Sequence, residues 1–195
     1  GTDAATVATI ARAVAEGLLA GGVLPVLKHI PGHGRGRLDS HVALPRIDAD
    51  RATLAAEDFA PFRALADLPL GMTAHVVYDA IDPDRPATQS PDAIAAIRGE
   101  IGFAGLLMTD DISMQALSGD VSARGRAALA AGCDIVLHCN GEMAEMERLA
   151  ADLPPMTQAA RARWHTAAAL RHRDPTDTRA LAAELDALQP GAAHV

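Results

Sequence analysis

Short apolar runs along this chain end in clusters of polar and ionisable residues, and each cluster leads into a stretch with helical apolar spacing. The first run is Val23-Leu24-Pro25-Val26-Leu27, preceded by Gly21-Gly22. An apolar run between turn residues predicts a buried strand, here at 23–28. Leu68 to Thr73, Leu106 to Thr109 and Ile135 to Leu137 are the next strand candidates. Their polar ends are Lys28-His29, Ala74-His75, Asp110-Asp111 and His138-Cys139-Asn140. Helices are predicted from Thr2 to Leu19, with Val7, Ile10, Val14 and Leu18 as the apolar face and Thr2 or Asp3 as N-cap. Three more are predicted: Asp50 to Ala66 (apolar at Leu54, Phe59, Phe62 and Leu65), Pro91 to about Ile101, and Val121 to Ala131 with Gly132 as its stop. A Pro- and Asp-rich loop fills Asp79 to Ser90, and beyond Glu142 the sequence is Ala-rich and helix-like, interrupted by Pro154-Pro155 and Asp174-Pro175.

Strand, polar end and helix recur at roughly thirty to forty residues, the mark of parallel βα units. The fold class is therefore α/β, and four such units fit half of a (β/α)8 barrel, for which about 250 residues is typical. A small doubly wound sheet is the rival, but no Gly-rich phosphate loop follows any of these strands. In parallel α/β folds chemistry collects at the carboxyl ends of strands, where the ionisable residues of this chain stand.

Composition narrows the partners. A net charge of −8 argues against nucleic acid or an anionic membrane surface. Cys133 and Cys139 are too few for a disulfide framework and read as reduced bystanders in a cytosolic protein. The longest apolar stretch, Gly17 to Leu27, is broken by Pro25 and falls short of the roughly 18 residues a membrane span needs. No targeting segment is visible; the chain opens with Gly-Thr-Asp rather than Met, which leaves an upstream signal open. Of 17 basic residues only Lys28 is a lysine, so the compact, rotatable ammonium sits at the mouth of the candidate site.

Lys28-His29-Ile30-Pro31-Gly32-His33-Gly34, a four-residue spacer, and then Asp39-Ser40-His41 form the densest cluster. It closely resembles the loop signature of bacterial glycoside hydrolase family 3 β-N-acetylhexosaminidases, K-H-x-P-G-H-G-x4-D-S-H. The resemblance implies that residues 1–150 are the second half of a TIM-barrel-like catalytic domain, with a C-terminal helical extension at 151–195 and about half the domain upstream of Gly1. It implies a retaining, exo-acting β-N-acetylglucosaminidase that trims muropeptides in cell-wall recycling. Such an enzyme is cytoplasmic and monomeric, takes a small carbohydrate substrate and needs no cofactor or metal. Asp110, the first Asp after Thr109, takes the nucleophile role, His41 the acid/base role with Asp39 orienting it, and Lys28 and His29 hold sugar hydroxyls.

Chemistry supports these assignments beside plainer readings. A carboxylate nucleophile at a strand end suits a covalent glycosyl-enzyme; Asp110 and Asp111 would otherwise merely cap the next turn, and Asp111 points the other way by strand alternation. An imidazole with a pKa near 6.5 gives and takes a proton near neutrality, and a carboxylate two residues earlier on an extended segment fixes its tautomer. The plainer reading of Asp39 and His41 is a surface ion pair. Lys28 has three donors that suit hydroxyl oxygens, or else it neutralises a carboxylate cluster. His33 is read as loop shaping, and His75 and His138 as structural. The spacer Arg35-Gly36-Arg37-Leu38 carries two arginines that bear on loop mobility. Acetamido recognition has no counterpart in this stretch.

Two other functions compete. His29, His75, Asp110 and His138 at successive strand ends suggest a zinc-dependent barrel hydrolase, although no H-x-H or H-E-x-x-H spacing occurs. A sugar-binding remnant is the other, because an open half-barrel exposes two unpaired strand edges.

Overall fold

The computed structural model describes residues 3–38, 40, 43–173 and 178–188. Four strands form one parallel sheet: β1 (Val26–Ile30), β3 (Leu70–Thr73), β5 (Leu106–Asp111) and β6 (Ile135–Leu137), in the order β1-β3-β5-β6. A separate parallel pair, β2 (Arg46–Ile47) with β4 (Val77–Tyr78), lies in the connecting segments. Helix α1 (Ala4–Ala20) precedes β1. Between β1 and β3 run α2 (Arg51–Thr53), a π-helical turn (Leu54–Asp58) and α3 (Phe59–Arg63). Helix α4 (Pro91–Gly99) links β3 to β5, and α5 (Val121–Ala131) links β5 to β6. Helices α6 (Met143–Asp152), α7 (Gln158–Ala168) and α8 (Thr178–Leu188) follow. Every link between sheet strands is helical and every pairing parallel, so the fold is α/β with part of a TIM-type barrel.

The main core lies between the sheet and its helices. Leu27, Ile30 and Leu107 from the strands meet Phe59, Ile97 and Phe103, all buried. Gly71 is required in β3, since a Cβ there would sit 2.7 Å from the Phe103 ring and 2.8 Å from Ile30. Capping follows the chemistry of the termini: Asp3, Asp50, Ser90 and Asp120 each accept from a backbone N–H in the first turn, and Gly132 ends α5 in the left-handed region at φ 114°. At the opposite end of the sheet from the candidate site, the buried Asp134 receives Arg98 at 2.8 Å, Arg163 of α7 at 2.6 Å and the Leu107 N–H at 2.9 Å. Ala167 of α7 is buried against Leu70 and Leu106.

The architecture differs from the sequence expectation in four places. Strand β1 begins at Val26 rather than at Val23, because Pro25 has no N–H for the ladder, and it continues to Ile30. Lys28 and His29 are thus strand residues, joined by a cis peptide. The α1 stripe of Val7, Ile10, Val14 and Leu18 is exposed, and the helix instead packs inward through Ala11, Ala15 and Leu19. The expected helix from Asp50 to Ala66 is interrupted by the π turn, and the short β2–β4 pair lies in segments for which no element was expected. No helix among the described residues is long and apolar enough to cross a membrane.

Candidate active site

All four sheet strands end on the same side, so their polar ends converge. Strand β1 supplies Lys28 and His29, the end of β3 supplies His75, β5 ends in Asp110-Asp111, and β6 leads into His138 and Cys139. One carboxylate oxygen of Asp110 lies 3.4 Å from Nε2 of His29, while its other oxygen accepts the Asp111 N–H at 2.8 Å. Burial pushes the His29 imidazole below its ordinary pKa; Asp110 opposes that shift, and Lys28 and His33 reinforce it. A neutral imidazole therefore faces the carboxylate near pH 7.

Asp111 points elsewhere, as strand alternation requires. Its carboxylate accepts the Ser113 N–H at 3.0 Å, the Ser113 hydroxyl at 2.5 Å and the Cys139 N–H at 3.1 Å, tying the end of β5 to the end of β6. Burial raises its pKa, but the Ser113 and Cys139 bonds more than offset this and hold it below the usual carboxylate range. Turn capping thus belongs to Asp111, which leaves the Asp110 carboxylate for other work.

His75 is fully buried behind this pair. Its Nε2 donates to the Asp111 carbonyl at 3.0 Å, and Nδ1 faces the Thr88 hydroxyl at 2.7 Å. The Thr73 hydroxyl and the Ala74 carbonyl lie 2.8 and 3.1 Å from that same Thr88 oxygen. Both ring nitrogens are engaged, so the structural reading holds for His75. Burial pushes its pKa down, so the ring is neutral near pH 7 and the carbonyl contact fixes the proton on Nε2. His138 Nε2 faces Glu145 at 2.9 Å, and its buried Nδ1 has no protein partner. Among the described residues no three His, Cys, Asp or Glu side chains gather as a metal set, so His29, His75, Asp110 and His138 do not converge on one point. Both cysteines are free, and burial raises both thiols, Cys133 to about 12.

The signature loop is anchored at its base. The buried Tyr78 hydroxyl donates to the Gly32 carbonyl at 2.7 Å, and the His33 carbonyl accepts the Gly36 N–H at 2.9 Å. Arg35 donates to Asp58 at 2.8 Å and also pairs with Glu57. Asp39 and His41, assigned the acid/base dyad from the signature, lie outside the described residues. Sequence reading missed Tyr78, Thr88, Asp58 and Arg124; the last donates to the carbonyls of Ile112 at 2.8 Å and Met114 at 3.2 Å, just past Asp110. None carries a local motif, since each acts on a segment distant in sequence.

Parallel strands that present a carboxylate, imidazoles and an ammonium at their carboxyl ends define the active-site face of a barrel-type enzyme. The chain belongs to glycoside hydrolase family 3: the model described as "Glycosyl hydrolase family 3 N terminal domain" matches residues 1–162. A protein named Beta-hexosaminidase from Alkalilimnicola ehrlichii is 47% identical over 136 residues, covering 67% of this chain and 39% of its own length. The crystal structure of NagZ from Neisseria gonorrhoeae in complex with N-trifluoroacetyl-D-glucosamine superposes with a TM-score of 0.72 at 34% identity, covering 91% of this chain and 50% of that one. CbsA from Thermotoga neapolitana superposes at 0.77 with 32% identity, covering 95% of this chain and 45% of that one. The chain thus spans half or less of each of these relatives.

Proposed function

We propose that this chain is the second half of the catalytic barrel of a retaining β-N-acetylglucosaminidase, in which Asp110 is the nucleophile. The observation that carries the reading is the division of labour at the end of β5: Asp111 is consumed by Ser113 and Cys139, while Asp110 faces His29 across the strand ends. The relatives named Beta-hexosaminidase support the substrate class. In this reading residues 1–150 supply the barrel half and 151–195 a C-terminal helical extension.

In the first step the Asp110 carboxylate attacks the anomeric carbon, and the bond to the leaving oxygen breaks as His41 delivers its proton there. Asp39 orients His41 and stabilises the imidazolium. In the second step His41 takes a proton from water, whose oxygen displaces Asp110 from the sugar. Lys28 and neutral His29 donate to sugar hydroxyls. No cofactor enters either step, and the fitting substrate is a terminal β-linked N-acetylglucosamine, such as that of a muropeptide in cell-wall recycling. The setting is cytoplasmic and the protein a monomer.

The test is release of an aryl alcohol from an aryl β-N-acetylglucosaminide by the protein carrying its complete barrel, for wild type and Asp110→Asn, with and without EDTA. Turnover that survives EDTA and collapses in the variant supports the covalent mechanism. Loss to EDTA points to metal-assisted hydrolysis, and an inert wild type to sugar binding alone.

A further inference from the structure

We infer that Arg35 and Asp58 form a latch that positions the signature loop for the reaction proposed above, on which this inference rests. In an uninterrupted α-helix Asp58, four residues after Leu54, would share the buried stripe of Leu54. The π turn at Leu54–Asp58 inserts one residue, and the Phe59 N–H bonds to the Leu54 carbonyl. Phe59 thereby takes the core position after Leu54, both fully buried, and Asp58 is rotated off that stripe toward the loop. Its side chain nevertheless stays 7% exposed, a carboxylate almost withdrawn from water.

That carboxylate receives Arg35 Nε at 2.8 Å, and the same guanidinium spans to Glu57. Asp58 and Glu57 together push the Arg35 pKa up. Residue 58 also meets the loop at a second point. Gly32, at φ 140°, runs so close that an added Cβ would sit 3.2 Å from Asp58 Cβ, while Tyr78 holds its carbonyl. Between these two contacts the loop folds into the turn closed by Gly36 N–H on the His33 carbonyl, with the His33 ring 6.1 Å from that of His29. The latch therefore fixes the loop on both sides of His33. Arg35 lies in the spacer of the signature, outside its fixed positions, and it is a positioning residue rather than a group that touches substrate.

The variants are Arg35→Gln, which keeps polarity without charge, and Arg35→Lys, which restores it; Arg35 is exposed enough that neither threatens the core. Two readouts are needed: kcat and KM on an aryl β-N-acetylglucosaminide for the protein with its complete barrel, and hydrogen exchange of amides 33–38. Arg35→Gln is expected to lower kcat roughly 10-fold with KM changed less than about twofold. It should also speed exchange at 33–38 while β3 and β5 stay protected, and Arg35→Lys should recover most of both effects. Unchanged exchange in Arg35→Gln overturns the latch, and faster exchange with unchanged kcat overturns its positioning role. If wild type hydrolyses no such glycoside, the proposed reaction fails instead, and the exchange comparison alone decides the latch.

Discussion

The Asp110 carboxylate and the His29 imidazole stand 3.4 Å apart although β3 runs between their strands. Both stand near the ends of their strands: the register between β1 and β3 is irregular between Leu27 and Ile30, which pairs with Thr73 at the end of β3, while β5 runs past its last β3 partner, Met72 with Met108, to Asp111. With burial lowering the His29 pKa, the pair places a neutral ring beside a carboxylate oxygen near pH 7. Asp110→Asn preserves size and removes the charge, and is expected to lower kcat by roughly 10³-fold or more. A mass increase on the Asp110 peptide after reaction with a slow fluorinated glycoside checks the covalent step in wild type. Its appearance on Asp111 instead would overturn the assignment.

Stability should fall on mild acidification. His29 and His75 both have folded pKa values below the ordinary 6.5, each mainly through burial. The unfolded chain therefore binds their protons first as pH drops. Their stabilising contribution is complete above the unfolded pKa and drains away below it, toward the depressed folded values. Urea midpoints at about pH 7.5 and about pH 5.5 measure this, with the lower midpoint expected at the lower pH. A flat or rising profile would refute it, and His75→Gln should shallow the slope.

The hydroxyl of Thr88 lies 2.7 Å from His75 Nδ1, 2.8 Å from the Thr73 hydroxyl and 3.1 Å from the Ala74 carbonyl, with no solvent exposure. Thr88→Val keeps the volume and strands these partners. The expected cost is about 3 kcal/mol, from leaving buried polar groups unpaired. Thr88→Ser keeps the hydroxyl and should retain most of the stability. Denaturant unfolding distinguishes them, and equal losses would mean that the methyl, not the hydrogen bonds, matters.

Much of this was legible in the sequence because strand ends are marked by a change from apolar to ionisable residues. That change located Lys28, His29, His75, Asp110 and His138 at the strand ends, and alternation separated Asp110 from Asp111. Burial was less legible. The stripe Val7, Ile10, Val14 and Leu18 has helical spacing, yet in this chain it faces outward beside the open edge strand β1. Nothing local marks the π turn at Leu54–Asp58, since its residues are ordinary helix formers and the extra residue is set by packing Phe59 against the core. The Arg35–Asp58 contact spans 23 positions and has no periodic signature.

The two free edges of the sheet, β1 and β6, lead to the last prediction. A strand edge with unpaired N–H and C=O groups can be satisfied by another strand, and in the proposed reaction the described residues that meet the sugar, Lys28, His29 and Asp110, contact it from one side of the barrel mouth. Orientation by the remaining strand ends would be absent, and lost orientation is costly to catalysis. The isolated 195-residue chain is therefore expected to turn over an aryl β-N-acetylglucosaminide at about one-hundredth, or less, of the rate of the protein with its complete barrel. Equal kcat values in the two would refute the half-barrel reading, because they would mean that the described strand ends and the signature loop suffice for the whole reaction.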